Sequence, residues 1–283
     1  MNKSRAYGLI GNPLKHSLSP LMHNAALTRL KIKARYKLFP LEEKELPAFL
    51  ADLKNRNIRG LNITIPYKEK ILRLIDAHQT SAVRVIGAAN TLVIDKKGKP
   101  KLFNTDYLGF IRQMKELKVK PKRAAIIGAG GACRAICFAL WKMKAQEVVI
   151  YDIDKFRSLS LMKNFNQVFT HTQVLAAGSM EGLNLKDKDL LVNASPVGMK
   201  KEDPLLVNPA MLHPGLFIYD LIYNPQETRL LRLARESNLS YTNGLGMLLY
   251  QGVEALDLWL APKKAPVEVM RSVLEKACLS TDR

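Results

Sequence analysis

The sequence predicts an α/β fold in two domains, and three observations carry that reading. Short apolar, β-rich runs alternate with longer amphipathic segments along the chain, the pattern of strands and helices packed in layers. The length, 283 residues, corresponds to about two domains at roughly 150 residues each. After Lys120-Pro121-Lys122 the character shifts, and from Ala124 onward the strands become continuous apolar runs, as in a parallel sheet buried on both faces.

Composition narrows the class. Hydrophobic residues make up 47% and charged residues 24%, values of an ordinary globular chain that exclude a disordered, collagenous or disulfide-scaffold protein. No apolar run approaches the ~18 residues of a spanning helix. At the chain start, Lys3 and Arg5 lead into Gly11-Asn12-Pro13 instead of a long apolar stretch, so a cytoplasmic protein without membrane attachment is expected. The three cysteines (Cys133, Cys137, Cys278) and the five scattered histidines lack ligand spacing, and no metal is expected. A net charge of +19 suits anionic ligands or nucleic acid. Its lysines are dispersed without an aromatic-interleaved basic block, so a solvated basic surface is expected and not a nucleic-acid partner.

Taken in order, Tyr7–Ile10 reads as a strand that stops at a Gly-Asn-Pro turn. Ser19 follows as a helix N-cap with Pro20 at the first helical position, and Met22, Ala25, Ala26 and Leu30 trace the apolar face. Arg35–Phe39 is a second strand and Glu42–Leu53 a helix. Ile58–Ile65 is a third strand, closed by Pro66, with a helix starting near Tyr67. Leu92–Ile94 and Lys101–Phe103 flank Lys97-Gly98, a hairpin signal. Beyond Asp106, Phe110, Ile111, Met114 and Leu117 mark a helix that runs to a boundary near Pro121. Ala124–Ile127 is the first buried strand after it. Val148–Tyr151, Leu190–Val192 and Phe217–Asp220 are its expected neighbours, separated by helix-length segments. Leu245–Trp259 and Val267–Cys278 read as closing helices.

One loop carries a mechanism. Gly128-Ala129-Gly130-Gly131-Ala132 leaves the buried strand and opens a helix. There Gly128 permits the tight turn, Gly130 admits a pyrophosphate against the backbone, and the helix start supplies N–H groups and partial positive charge. The third glycine of GxGxxG is replaced by Cys133. Asp152 ends the next strand 24 residues after Gly128, near where an acid holds a ribose diol. Together these predict a dinucleotide site; the competing reading is a plain turn beside a solvated aspartate.

The N-terminal part gathers polar residues where strands should end: Ser17 and Ser19, Asn62 and Thr64, Asn90 and Thr91, and Asn104-Thr105-Asp106. Carboxyl ends of strands host ligands in open α/β sheets, so these clusters predict a hydrogen-bonding pocket for a polyol or sugar-like acid. Each is individually also compatible with a turn or cap. Lys68 stands at a helix start, where the dipole prefers anions, and an unfavourably placed cation hints at function.

Eight blocks, in order, resemble the signature of the shikimate dehydrogenase family. They are His16-Ser17-Leu18-Ser19-Pro20, Asn62-Ile63-Thr64-Ile65-Pro66-Tyr67-Lys68, Gly87-Ala88-Ala89-Asn90-Thr91, Asn104-Thr105-Asp106, the glycine loop, Val197-Gly198-Met199, Tyr223-Asn224-Pro225 and Gly244-Leu245-Gly246-Met247 with Gln251. The resemblance implies an α/β substrate domain over residues 1–106 and a Rossmann-like, doubly wound dinucleotide-binding domain over 107–240. Helices over 241–283 would return to the substrate domain. It implies reversible hydride transfer between a nicotinamide and a ring carbon bearing a hydroxyl, on shikimate or its relative quinate, by a monomer or homodimer.

In that correspondence Lys68 and Asp106 are the catalytic dyad. Ser17 and Ser19, with Tyr223, hold the substrate carboxylate, and Asn62, Thr64, Asn90 and Gln251 complete the substrate set. The cofactor set is Gly128, Ala129, Gly130, Gly131, Ala132, Asp152, Ser195, Met199, Leu221, Gly244 and Met247. The Ser17-x-Ser19 pair leans toward shikimate, with quinate the alternative. A basic nucleic-acid-binding protein and a silent scaffold of the same fold are the other readings, and the intact dyad argues against the scaffold.

The cofactor expectation departs from the family. Most members carry Asn-Arg-Thr after the second nucleotide-domain strand, the arginine gripping the 2′-phosphate of NADP, whereas this chain has Asp152-Ile153-Asp154. Ile153 offers no donor, and a carboxylate repels phosphate by about 4 kcal/mol per unit pair at ~4 Å and a dielectric of ~20. NAD is therefore expected over NADP, with Lys155 and Arg157 as the opposing charges.

Overall fold

The computed structural model describes residues 5–15 and 17–281; His16 of the first block and Lys3 lie outside them. The chain divides into two compact units, one running up to Gly109 and resuming at Leu248, the other spanning Phe110–Met247.

The first unit holds strands β1 (Arg5–Gly11), β2 (Ala34–Pro40), β3 (Ile58–Ile63), β4 (His78–Gln79), β5 (Thr91–Ile94) and β6 (Pro100–Phe103) in the order β2-β1-β3-β5-β6-β4. Its helices are α1 (Ser19–Arg29), α2 (Leu46–Ala51), α3 (Tyr67–Leu74), α4 (Ser81–Ile86) and the start of α5 (Asp106–Glu116). β1 pairs parallel with β2 and β3, while β5 runs antiparallel to both β3 and β6. The carboxyl ends of β1, β3 and β6 and the amino end of β5 therefore share one sheet edge. Asn62 and Thr64, Asn90 and Thr91, and Asn104-Thr105-Asp106 sit on that edge, which explains why they gather although they are far apart in sequence, while Ser17 and Ser19 follow β1 at the start of α1. A core of Ile10, Leu46, Leu61, Ile63, Ile71 and Leu92 seals one face. The C-terminal helices complete the unit: Trp259 stacks on Tyr7 at 5.0 Å and donates from Nε1 to the Leu92 carbonyl at 2.9 Å.

The second unit is a fully parallel sheet of β7 (Arg123–Ile127), β8 (Glu147–Tyr151), β9 (Gln173–Ala176), β10 (Leu190–Asn193), β11 (Phe217–Asp220) and β12 (Tyr241–Thr242). The order is β12-β11-β10-β7-β8-β9, the doubly wound arrangement whose direction reverses between its first and fourth strands. Helices α6 (Gly131–Lys142), α7 (Lys155–Asn166) and α8 (Arg229–Glu236) belong to it. Strands β7, β8, β10 and β11 are apolar and buried, as their unbroken apolar runs require. The last two helices of the chain are α9 (Leu245–Leu260) and α10 (Val267–Thr281).

Several sequence expectations are corrected. Ser19 is the first helical residue of α1 and not its cap: Leu18 occupies the cap position without a side-chain bond. The predicted helix over Glu42–Leu53 is a single 3-10 turn followed by the short α2, because Pro47 lacks the N–H that a continuous helix from Glu42 would use and is tolerated in the first turn of α2. The strand predicted to reach Ile65 ends at Ile63. Between β10 and β11 there is only one 3-10 turn, Pro209–Met211, where a helix was expected. No helix among the described residues is long and apolar enough to cross a membrane.

Candidate active site

On the edge of the first sheet, Lys68 in the first turn of α3 donates from Nζ to Asp106 Oδ2 at 2.7 Å. Their side chains are 16% and 7% exposed, so solvent screens the pair little. The lysine tolerates the positive end of α3 because this carboxylate faces it. The other oxygen, Asp106 Oδ1, accepts from Asn90 Nδ2 at 2.8 Å, which leaves the carboxylate little rotational freedom. Asn90 in turn reaches Thr105 Oγ1 at 3.0 Å and Gln251 Oε1 at 3.3 Å, and its own Oδ1 accepts from the Thr105 N–H at 2.6 Å. Asn104 Oδ1 accepts the Asp106 N–H at 3.1 Å.

Asn62 joins through Thr91 Oγ1 at 3.2 Å and is held from behind by the Tyr36 hydroxyl, which donates to Asn62 Oδ1 at 2.8 Å. The structure thus brings Lys68, Asp106, Asn62, Asn90 and Gln251 into one network. Thr91 and Thr105, expected among the strand-end polar clusters but given no individual role, connect it, and Tyr36, which the sequence reading did not single out, braces Asn62. Ser17 and Ser19 form a separate local turn, with the Ser19 N–H donating to Ser17 Oγ at 3.3 Å. Thr64 is anchored through its backbone to Ile10. Tyr223 belongs to the second unit.

In the second unit, Gly128 has φ +99°, and a Cβ there would stand 2.9 Å from the Ala194 backbone, so only glycine fits. Gly130 precedes α6, whose N-terminus has no side-chain cap and no acid in its first turn. An uncapped, electropositive helix start behind a glycine turn suits a pyrophosphate. Ser195 on the β10 exit lies against the glycine turn, its N 3.0 Å from where a Gly128 Cβ would stand, and Leu221 and Gly244 adjoin the end of β10. The Leu221 N–H donates to the Asn193 carbonyl at 3.0 Å, and a Cβ on Gly244 would collide with the Leu221 carbonyl. Met247 is buried and Met199 exposed. The residues fit a dinucleotide, and with an acid–base pair in the first unit they define a dinucleotide-dependent enzyme.

Comparison with known proteins agrees. A family model described as the shikimate dehydrogenase substrate binding domain matches residues 9–92, and one described as the shikimate 5′-dehydrogenase C-terminal domain matches residues 244–275. The shikimate dehydrogenase (NADP+) of Methanopyrus kandleri is 39% identical over 281 residues, 96% of each chain. Among solved structures, shikimate dehydrogenase from Aquifex aeolicus superposes with a TM-score of 0.88 at 33% identity, covering 97% of this chain and 98% of the other. The Thermus thermophilus enzyme, solved with NADP(H) and shikimate, gives 0.86 at 31%, covering 96% and 99%. The chain belongs to the shikimate dehydrogenase family. It is an NAD(P)-dependent oxidoreductase acting on a CH–OH group.

The expected preference for NAD is overturned, because these relatives are named for, or solved with, NADP. The geometry shows where the expectation failed. Asp152 was assigned a carboxylate available to a ribose diol. Instead Oδ2 accepts from the Ala129 N–H at 2.6 Å and Oδ1 from the Asp154 N–H at 2.9 Å. Asp152, only 8% exposed, is a brace for the glycine loop. Arg157 meanwhile places Nη2 3.6 Å from where a Gly130 Cβ would stand, so a cation lies at this loop despite Ile153.

Proposed function

We propose that the chain interconverts shikimate and 3-dehydroshikimate with NADP(H), preferring shikimate to quinate. The observation that carries the reading is the pair of half-buried Lys68 and buried Asp106, 2.7 Å apart, at the strand edge where the polar side chains converge. The bound nicotinamide supplies the hydride chemistry. The protein's share is proton management: a hydroxyl cannot become a carbonyl unless its proton leaves with the hydride. Lys68 Nζ donates to the substrate oxygen during reduction and receives its proton during oxidation. Asp106, locked by Asn90, keeps that ammonium aimed, and the two exchange the proton as one coupled unit.

Asn62, Thr64, Asn90 and Gln251 bind ring hydroxyls, while Ser17 and Ser19 take the carboxylate. The two serines at that position favour shikimate, whose C1 is planar and lacks quinate's extra hydroxyl. In the second unit the residues named above hold the dinucleotide, with Arg157 supplying the charge for the 2′-phosphate. Initial rates with shikimate and with quinate, each paired with NADP+ and with NAD+, test the proposal. Shikimate with NADP+ is expected to give the highest kcat/KM; faster turnover of quinate would assign the pocket to that acid instead.

A further inference from the structure

At the carboxyl end of β11, Asp220 is wholly buried and takes no part in the dyad. Its Oδ1 accepts from Asn193 Nδ2 and from the Ile222 N–H, both at 3.0 Å, and its Oδ2 accepts from Thr228 Oγ1 at 2.7 Å. Burial pushes its pKa up to about 6, against the pull of these three hydrogen bonds. Asn193, equally buried at the end of β10, passes the constraint on. Its Nδ2 also donates to the Val197 carbonyl at 3.0 Å, and its Oδ1 accepts from the N–H and hydroxyl of Ser195 at 3.0 and 2.7 Å.

Its backbone carbonyl accepts from the Leu221 N–H at 3.0 Å. Gly198 has φ +111°, and a Cβ there would stand 3.4 Å from Thr228 Cβ, so the loop after β10 closes onto the same threonine. One carboxylate thus sets the course of two loops, 194–198 and 221–222.

We infer that Asp220 is a positioning residue that holds Ser195 and Leu221 in place for the nicotinamide half of the cofactor. The inference rests on the dehydrogenase reading above. A carboxylate suits the task because three donors converge on it; an amide in its place offers one acceptor oxygen fewer and leaves a buried donor unpaired. The 2′-phosphate end belongs to Arg157, whereas Gly128 packs directly on Ala194 and Ser195 of this network, so the test compares NADP+ with a ligand that keeps the 2′-phosphate and lacks the nicotinamide.

Isothermal titration of Asp220→Asn with NADP+ and with adenosine 2′,5′-bisphosphate reads that difference. The Kd for NADP+ is expected to rise about tenfold, the usual consequence of an unpaired buried donor, while the bisphosphate binds as before. Equal weakening of both ligands, or of neither, overturns the inference. If Asp220→Asn does not fold by circular dichroism, Thr228→Val, which keeps the shape but removes the donor to Asp220 and the acceptor of the Leu231 N–H, must give the same split. Thr228→Ser must abolish it, and failure of either result is equally fatal. An unmodified protein that does not bind NADP+ at all would refute the dehydrogenase reading itself.

Discussion

An ammonium 2.7 Å from a carboxylate at a polar sheet edge has a measurable signature. Lys68→Ala and Asp106→Asn are each expected to lower kcat by ~10²–10⁴-fold, the range for a lost acid–base group, with a smaller change in KM. Near-normal kcat with a raised KM would make the pair a binding element. A second residue matters for stability. His23 is completely buried, stacks on Tyr36 at 4.3 Å, and has no hydrogen-bond partner for either ring nitrogen among the described residues. Burial pushes its pKa down to about 3, whereas the unfolded chain holds it near 6.5. The unfolded state therefore binds a proton that the native state refuses. Stability is full above pH 6.5 and falls toward pH 3, by up to about 1.4 kcal/mol per pH unit. Urea midpoints at pH 8 and pH 5 should separate for the parent protein, and draw together in His23→Gln.

The strand–loop–helix from β7 to α6 was legible because every part of it is local. An apolar run, a glycine turn and an amphipathic helix follow one another within a few residues. Its glycine is testable: Gly128→Ala must adopt φ +99° and press on the Ala194 backbone. It should lower the unfolding free energy by more than about 1 kcal/mol, seen as a reduced melting temperature together with weaker NADP+ binding. An unchanged midpoint would mean that the loop relaxes freely. Other elements left little trace in sequence. β4 and β12 are two residues each, too short to show any period. The dyad joins residues 38 apart, so no spacing rule finds it, and only resemblance to a family brought Lys68 and Asp106 together. Asp152 misled because its position matched a ribose-binding acid while its oxygens were already engaged by backbone N–H groups. Asp220 read merely as the end of a strand.

At the scale of the whole chain, the substrate unit is closed by a residue made late. The indole of Trp259 lies against Gly60 of β3 and bonds the backbone of β5. Trp259→Ala should cost about 3 kcal/mol, the low end for such a truncation because the ring is partly exposed, read as a lower urea midpoint. A variant as stable as the parent would show that the helix is held by other contacts. The same contact orders events on the ribosome. Gly60 and Leu92 emerge early, yet the tryptophan that covers them follows Gly109 by roughly 150 residues, on the order of ten seconds or more of synthesis at ~5–20 residues/s. The dinucleotide unit, contiguous in sequence, can close while its host still waits, so the half of the protein begun first is the half finished last.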